Sequence, residues 1–306
     1  MSIPAPGSAG RPLTVGAVVL HYRFWPGIRP TLDSLLSQSH PPALVVVVDN
    51  GSGGGEWQEL KSAYPQLEHV GAPANLGYAA GMNLGIRRAV AAGVEALLLL
   101  THECIPAPDC LRRLAARLGE EPPVGAAGPL LRRLHDPGRV WSAGGGLDPD
   151  TGLPVHRGAG DEVEAWTGKP AAPVEWLDGA CMLLRAEAVA AAGPLDERYF
   201  LYFEDAEYCT RLRRLGWRVE CVPAALADQE ASELPPYLSV RNRLGFLAAT
   251  ASRRRLAAEM RRLALNLARD FLRLPGSPRK AYLTERTRGF LDFLRRRWGP
   301  PGPKYR

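Results

Sequence analysis

Ala43-Leu-Val-Val-Val-Val-Asp49-Asn-Gly-Ser52 is the stretch that decides the fold. Four consecutive valines are stiff at χ1 and favour extended backbone. A run without polar alternation suits a strand buried on both faces, as in a parallel sheet covered by helices. Asp-Asn-Gly-Ser cannot continue such a strand and reads as a turn.

The same alternation extends outward from this strand. Residues 13–22 read as an earlier strand, and 30–38 as a helix with Leu32, Leu35 and Leu36 on one face. Downstream, 57–64 reads as a helix and 67–70 as a short strand. A turn at 75–81 leads into a helix through about Ala92 that Gly93 stops. Residues 96–100 are the next strand and 108–118 the next helix. Strand alternating with helix up to Leu118 predicts a doubly wound α/β sheet. The pattern then changes: residues 128–174 are rich in Gly and Pro with no long helix, and 144–146, 148–152 and 158–160 read as turns or flexible loop. Regular elements resume as a strand at 175–184, helices at 186–192 and 205–215, and a strand at 218–222. From Pro236 the chain reads as helical, broken near 275–278. The expected organisation is a disordered lead over 1–12, a catalytic domain over 13–235 and a basic helical extension over 236–306.

Composition bounds the class. With 306 residues, 46% hydrophobic and 23% charged, the chain suits one large α/β domain with an appendage. Its five cysteines are odd in number and show no CxxC spacing, so a disulfide framework or zinc site is not expected, and a reducing, cytoplasmic setting fits. The N-terminal residues do not read as a signal peptide, and the apolar runs are too short to span a bilayer. The net charge of +6 conceals a split: residues 251–306 carry 16 Lys and Arg against 4 Asp and Glu. There, basic residues interleave with Leu, Phe and Trp. Such a pattern suits peripheral contact with an anionic membrane, or else solvated helical faces packed on the main domain. Nucleic acid is the less expected partner, since no known module precedes the tail.

Four places hold residues that carry chemistry. Asp49 closes its strand where ligands bind in open α/β sheets, and its carboxylate suits a base or ribose; the alternative is a plain turn. Asn75-x-Gly77-x-x-x-Gly81-x-Asn83 opens a helix whose free N–H groups can face phosphate; the alternative is a glycine-punctuated cap. Thr101-His102-Glu103 follows a leucine-rich strand. Glu103 offers a hard oxygen ligand for Mg²⁺ or Mn²⁺ and His102 a nitrogen, against a solvated strand end. In Phe200-Leu-Tyr-Phe-Glu204-Asp205-Ala-Glu207, acidic residues at a helix start are stabilised by its dipole; Asp205, kept ionised there, is a candidate general base.

Together these pieces resemble the inverting glycosyltransferases of family two, and among them the rhamnosyltransferase-like members. The matching stretches include Val47-Val-Asp49-Asn-Gly-Ser52, Asn75-Leu-Gly-Tyr-Ala-Ala-Gly-Met-Asn83, Trp176-Leu-Asp-Gly-Ala-Cys-Met-Leu-Leu-Arg185 and the block from Gly193 to Trp217, continued by Arg241-Asn242. The resemblance spans roughly residues 14–246. It implies a GT-A-like doubly wound mixed sheet with a C-terminal helical extension. It also implies transfer of a sugar, rhamnose first among the candidates, from a nucleoside-diphosphate sugar to a hydroxyl acceptor with inversion. The acceptor would be a glycan, a lipid-linked molecule or a small molecule. The donor would meet Asp49, Asn75, Gly77, Asn83 and His102; the acceptor would meet Trp176, Asp178 and Gly179. Asp205 would be the base, with Glu204 beside it.

One motif departs. Family members carry an Asp-x-Asp or Asn-Pro-Asp type metal motif where this chain has Thr101-His102-Glu103, and many carry a metal-binding His where it has Asp228-Gln-Glu230. A divalent cation on Glu103, supplemented by Asp228 or Glu230, is the expectation, against a site that works weakly or without metal; for the function, a non-catalytic nucleotide-sugar-binding or scaffolding protein is the alternative.

Overall fold

A computed structural model describes residues 12–230, 234–273 and 279–302 of the chain. The expected disordered lead lies almost wholly outside the described residues.

The first half alternates as its sequence predicts: β1 (Val15–His21), α1 (Arg29–Leu36), β2 (Leu44–Asp49), α2 (Gly54–Ala63), β3 (Glu68–Gly71), α3 (Tyr78–Ala91) and β4 (Ala96–Thr101). These four strands lie in the order β3-β2-β1-β4, all parallel. The valine run is divided between two cores. Val46 and Val48 face one side, with Val18, Leu97 and the α3 residues Met82 and Ile86. Val45 and Val47 face the other, with Val19, Leu98 and the α1 residues Leu32 and Leu35. Both faces are dry, which is why the strand shows no polar alternation.

The second half comprises β5 (Cys104–Pro106), α4 (Cys110–Glu120), β6 (Val124–Arg133), β7 (Asp136–Ser142), β8 (Gly145–Leu147), β9 (Pro154–His156), α5 (Glu164–Thr167), β10 (Ala172–Pro173), β11 (Cys181–Arg185), α6 (Ala186–Ala192), α7 (Glu204–Arg214) and β12 (Arg218–Gln229). Three expectations need correction. Residues 144–146 are not plain turn or loop: Gly145 and Gly146 belong to β8, which forms a hairpin with β9, and upstream β6 pairs with β12 and β7. Residues 175–184 form a strand only from Cys181 onward. β12 also runs past residue 222 to Gln229, through a register shift after Val222 that lets the bent strand continue.

Among the described residues ten strands make one mixed sheet, ordered β10-β12-β6-β11-β4-β1-β2-β3 with β5 on β12 and β7 on β6, and β8 and β9 pair apart from it. β11 is antiparallel to β4 and pairs Cys181 with Leu100. Its first residues therefore meet the end of β4, where the Thr101 N–H donates to the Ala180 carbonyl at 3.0 Å. This reversal brings 101–103 beside 178–180, two segments far apart in sequence.

The C-terminal helices are α8 (Pro236–Thr250), α9 (Arg253–Arg273) and α10 (Arg279–Leu294). Phe246 and Leu247 of α8 belong to the same core as β1 and β4.

Candidate active site

At the carboxyl ends of β1, β2 and β4 lies a cavity of about 480 Å³. Asn75, Gly77, His102, Glu103, Trp176, Asp178, Gly179, Glu204 and Asp205 all line it. Asp49 and Asn83 do not.

Asp49 is buried, and its carboxylate accepts the Ser52 N–H at 3.1 Å, which makes the turn after β2. Asn83 sits inside the fold: its amide oxygen accepts the Leu195 N–H at 3.0 Å and its amide nitrogen donates to the Leu195 carbonyl at 2.9 Å. It ties α3 to the segment before α7, so the structure corrects the expectation that it lies against a donor.

The start of α3 is likewise committed to the protein. The Leu76 N–H donates to Asn50 Oδ1 at 2.9 Å, the Gly77 N–H to Asn75 Oδ1 at 2.9 Å, and the Tyr78 N–H to the Phe200 carbonyl at 2.6 Å. The amides of 76–78 are thus not a phosphate cradle. Gly77 is required for another reason: its φ is +84° and a Cβ there would lie 2.1 Å from the Phe200 oxygen. The close approach is to the loop before the carboxylates. Asn50, read from the sequence only as part of a turn, holds this corner together by donating to Asn75 Oδ1 and the Gly77 carbonyl.

The loop before α7 is strained. Phe200, Tyr202 and Phe203 all adopt φ near +70°, which is rare for residues with side chains. Buried Asn242 of α8 fixes it: its amide nitrogen lies within 3.0 Å of the Tyr199, Leu201 and Tyr202 carbonyls. Arg241 adds a bond to Tyr199 O at 2.8 Å.

That loop delivers Glu204 and Asp205. The Asp205 carboxylate accepts the Gly179 N–H at 3.0 Å and the Ala206 N–H at 2.7 Å. These donors favour the charged form, as the helix start predicts. Burial and then the charge of Asp178 outweigh them and push Asp205 up to about 7. The expectation that the helix terminus alone keeps it ionised is corrected accordingly. Glu204 is buried more deeply, its Oε2 has no partner, and burial followed by Asp205 holds its carboxyl well above the usual range. Glu204 is the neutral neighbour and Asp205 the group that titrates near neutrality, the property a general base needs.

At the other end, His102 Nδ1 accepts the Tyr22 N–H at 3.1 Å, so its proton sits on Nε2 and points to Glu103 Oε2 at 2.8 Å. Both ring nitrogens are engaged. His102 therefore orients Glu103 and is not itself a ligand for metal or phosphate, contrary to its expected donor contact. Asp228 forms a two-pronged pair with Arg132 at 2.7 and 2.9 Å, which removes it as a supplementary ligand. Glu230 remains on the cavity. Among the described residues no group of three or more His, Cys, Asp or Glu is arranged to hold a metal ion. Glu103, Asp178, Glu204, Asp205 and Glu230 all face the space, yet no described lining residue is Lys or Arg. A polyphosphate entering here would have to bring its own countercharge. A divalent cation shared between Glu103 and a diphosphate fits that chemistry.

Sequence reasoning missed Tyr22, Trp141, His156 and Gln229, which also line the cavity. No local signal marked them; Gly145, where a Cβ would clash with the Trp176 ring, bears on Trp176 alone.

The family model described as glycosyltransferase like family 2 matches residues 12–262. An N-acetylglucosaminyl-diphospho-decaprenol L-rhamnosyltransferase of Mycobacterium tuberculosis is 31% identical over 227 residues, which are 68% of this chain and 73% of that protein. A galactofuranosyltransferase of the same organism is 30% identical over 214 residues, 66% of each chain. Among solved structures, a mannosyltransferase from Pyrobaculum calidifontis in complex with GDP-Man and Mn²⁺ aligns with a TM-score of 0.54 at 20% identity, over 95% of this chain and 89% of that one. GalNAc-T7 with UDP, GalNAc and Mn²⁺ aligns with a TM-score of 0.61 at 14% identity; 93% of this chain is covered and 56% of that one, so this chain spans about half its length. At these identities the structural likeness speaks for the GT-A fold.

Proposed function

The chain belongs to the glycosyltransferases of family 2, and on that premise we propose that it moves a sugar from a nucleoside diphosphate to a hydroxyl of a lipid-linked glycan acceptor, with inversion at the anomeric carbon. One observation carries this reading: Asp205, poised to titrate near neutrality, and Glu103, oriented by His102, line the same cavity. The nucleoside diphosphate lies across the ends of β1, β2 and β4, by Tyr22 and Asn50. Asp205 takes the proton of the acceptor hydroxyl as its oxygen bonds to the anomeric carbon. The bond to the diphosphate breaks on the opposite face, which inverts the centre. Neutral Glu204 adds no second negative charge beside the base. Glu103, with Glu230, would hold a divalent cation whose charge neutralises the leaving diphosphate.

The donor sugar proposed first is rhamnose, supported by the relative named as a rhamnosyltransferase; that relative's name also supports a polyprenyl-diphosphate-linked acceptor. The non-catalytic binding protein is disfavoured, because a pure binder has no use for a carboxylate held near neutrality by burial.

A thermal-shift series with dTDP, UDP and GDP, each with and without Mn²⁺, tests the donor half. One nucleotide should raise the melting temperature, more so with Mn²⁺, and Glu103→Gln should abolish the Mn²⁺ increment alone. An increment that survives in Glu103→Gln removes Glu103 as the ligand.

A further inference from the structure

We propose that Trp141 and His156 form the subsite for the acceptor's sugar, taking the apolar face of a pyranose against Trp141 and a ring hydroxyl at His156; this rests on the transferase reading above. Three observations carry it.

The first is orientation. Trp141 is half-buried on the cavity wall, and its indole N–H donates to Asp178 Oδ2 at 2.9 Å. The other oxygen of Asp178 accepts the Ala180 N–H at 2.9 Å. The carboxylate whose charge raises Asp205 therefore also holds the indole edge, so the ring and the base are tied to one group on the same cavity. Carbohydrate rings present C–H groups on one face, and an oriented aromatic surface with a few polar groups is what binds them.

The second is support. The His156 imidazole lies between Trp141 and Trp176, with ring centroids 5.0 and 4.8 Å away. Trp176 is buried and its indole N–H is spent on the Gly146 carbonyl at 3.0 Å. Trp176, expected to meet the acceptor, is thus the prop behind His156, and the accessible wall is His156 with Trp141. His156 lines the cavity, and its buried Nδ1 has no hydrogen-bond partner. With the ring held by stacking and by the charge of Asp178, a turn of the imidazole can bring a nitrogen to a hydroxyl.

The third is placement. Trp141 lies on β7, which joins the sheet through β6, and β6 joins β11. The crevice at β1, β2 and β4 belongs to the nucleotide, and the wall that carries Trp141 starts from β7, which lies beyond β11 and β6 from that crevice in the sheet order.

Saturation-transfer NMR tests the assignment. The probes are methyl β-D-glucopyranoside, methyl N-acetyl-β-D-glucosaminide and methyl α-L-rhamnopyranoside, each in the presence of dTDP, UDP or GDP with Mn²⁺. Wild-type protein should saturate the ring protons of at least one pyranoside. Trp141→Ala and His156→Ala should lose that signal while keeping the nucleotide signal. Trp141→Phe, which keeps an aromatic face and removes the N–H, should retain it in part; near-UV circular dichroism checks that each variant is folded. Sugar signals unchanged in both alanine variants, or absent from wild type, would overturn the subsite alone. Nucleotide and sugar signals lost together in folded variants would place the donor sugar on this wall. No nucleotide signal from wild type would overturn the transferase reading and the subsite with it.

Discussion

At Asp205 two amide donors pull the pKa down while burial and Asp178 push it up, and the second pair wins. The sign has two consequences. As a base the group must be deprotonated, so kcat/KM in the free enzyme should fall as pH drops through about 7. The folded state also holds this proton more tightly than the unfolded chain does, where the ordinary value is 3.8. Stability from this group is therefore fully present below about pH 4 and lost as pH rises through about 7. Activity and stability thus run in opposite directions with pH. Glu204→Gln, which removes the buried partner carboxyl, should raise the melting temperature at pH 8 by a few degrees, on the order of 1 kcal/mol. A melting temperature that falls by as much would show that the Glu204 carboxyl stabilises the fold.

At the level of elements, the site is assembled by the antiparallel β11 and by α8. Buried Asn242 of α8 binds the strained loop by sharing its two N–H donors among three carbonyls. Asn242→Ala should cost about 2–4 kcal/mol in a denaturant melt and lower kcat at unchanged donor affinity. A loss below about 0.5 kcal/mol would mean the loop holds itself. β1, β2 and β4 were legible because valine and leucine runs need two dry faces, and α7 because its acidic start and basic end follow the dipole; the longer β6 was missed and β12 was read only to residue 222, because Gly128-Pro129 and Pro223 interrupt their apolar runs. The elements of 134–173 were not: β8, β9 and β10 are two or three residues long and exist because a neighbouring strand offers partners. The same holds within the site. Asp205 sits in the first turn of α7 and Glu103 follows β4, both recognisable elements, so their place at the cavity was legible. Asn83 was misjudged because its polar side chain is spent across 112 residues on Leu195, and Trp141 and His156 were missed because only tertiary folding brings them to Asp178.

For the whole molecule, the sheet gathers the carboxylates at one end, while α9 and α10 carry the excess of basic charge. Leu265, Phe271, Tyr282, Leu291 and Leu294 are exposed on these helices. Among the described residues no helix is long and apolar enough to cross a membrane. We propose that this basic, apolar-studded surface meets anionic lipid, at about 1 kcal/mol per basic residue near the surface. The protein should co-sediment with phosphatidylglycerol vesicles, not with phosphatidylcholine, and high salt should release it; equal behaviour toward both lipids would contradict this. The central claim is that Asp205 acts as the base in sugar transfer from a nucleotide donor. Single-turnover transfer by Asp205→Asn, with donor affinity measured in parallel, tests it most directly. The predicted result is transfer lowered by at least about a hundredfold with donor affinity kept; transfer near the wild-type rate would contradict the account.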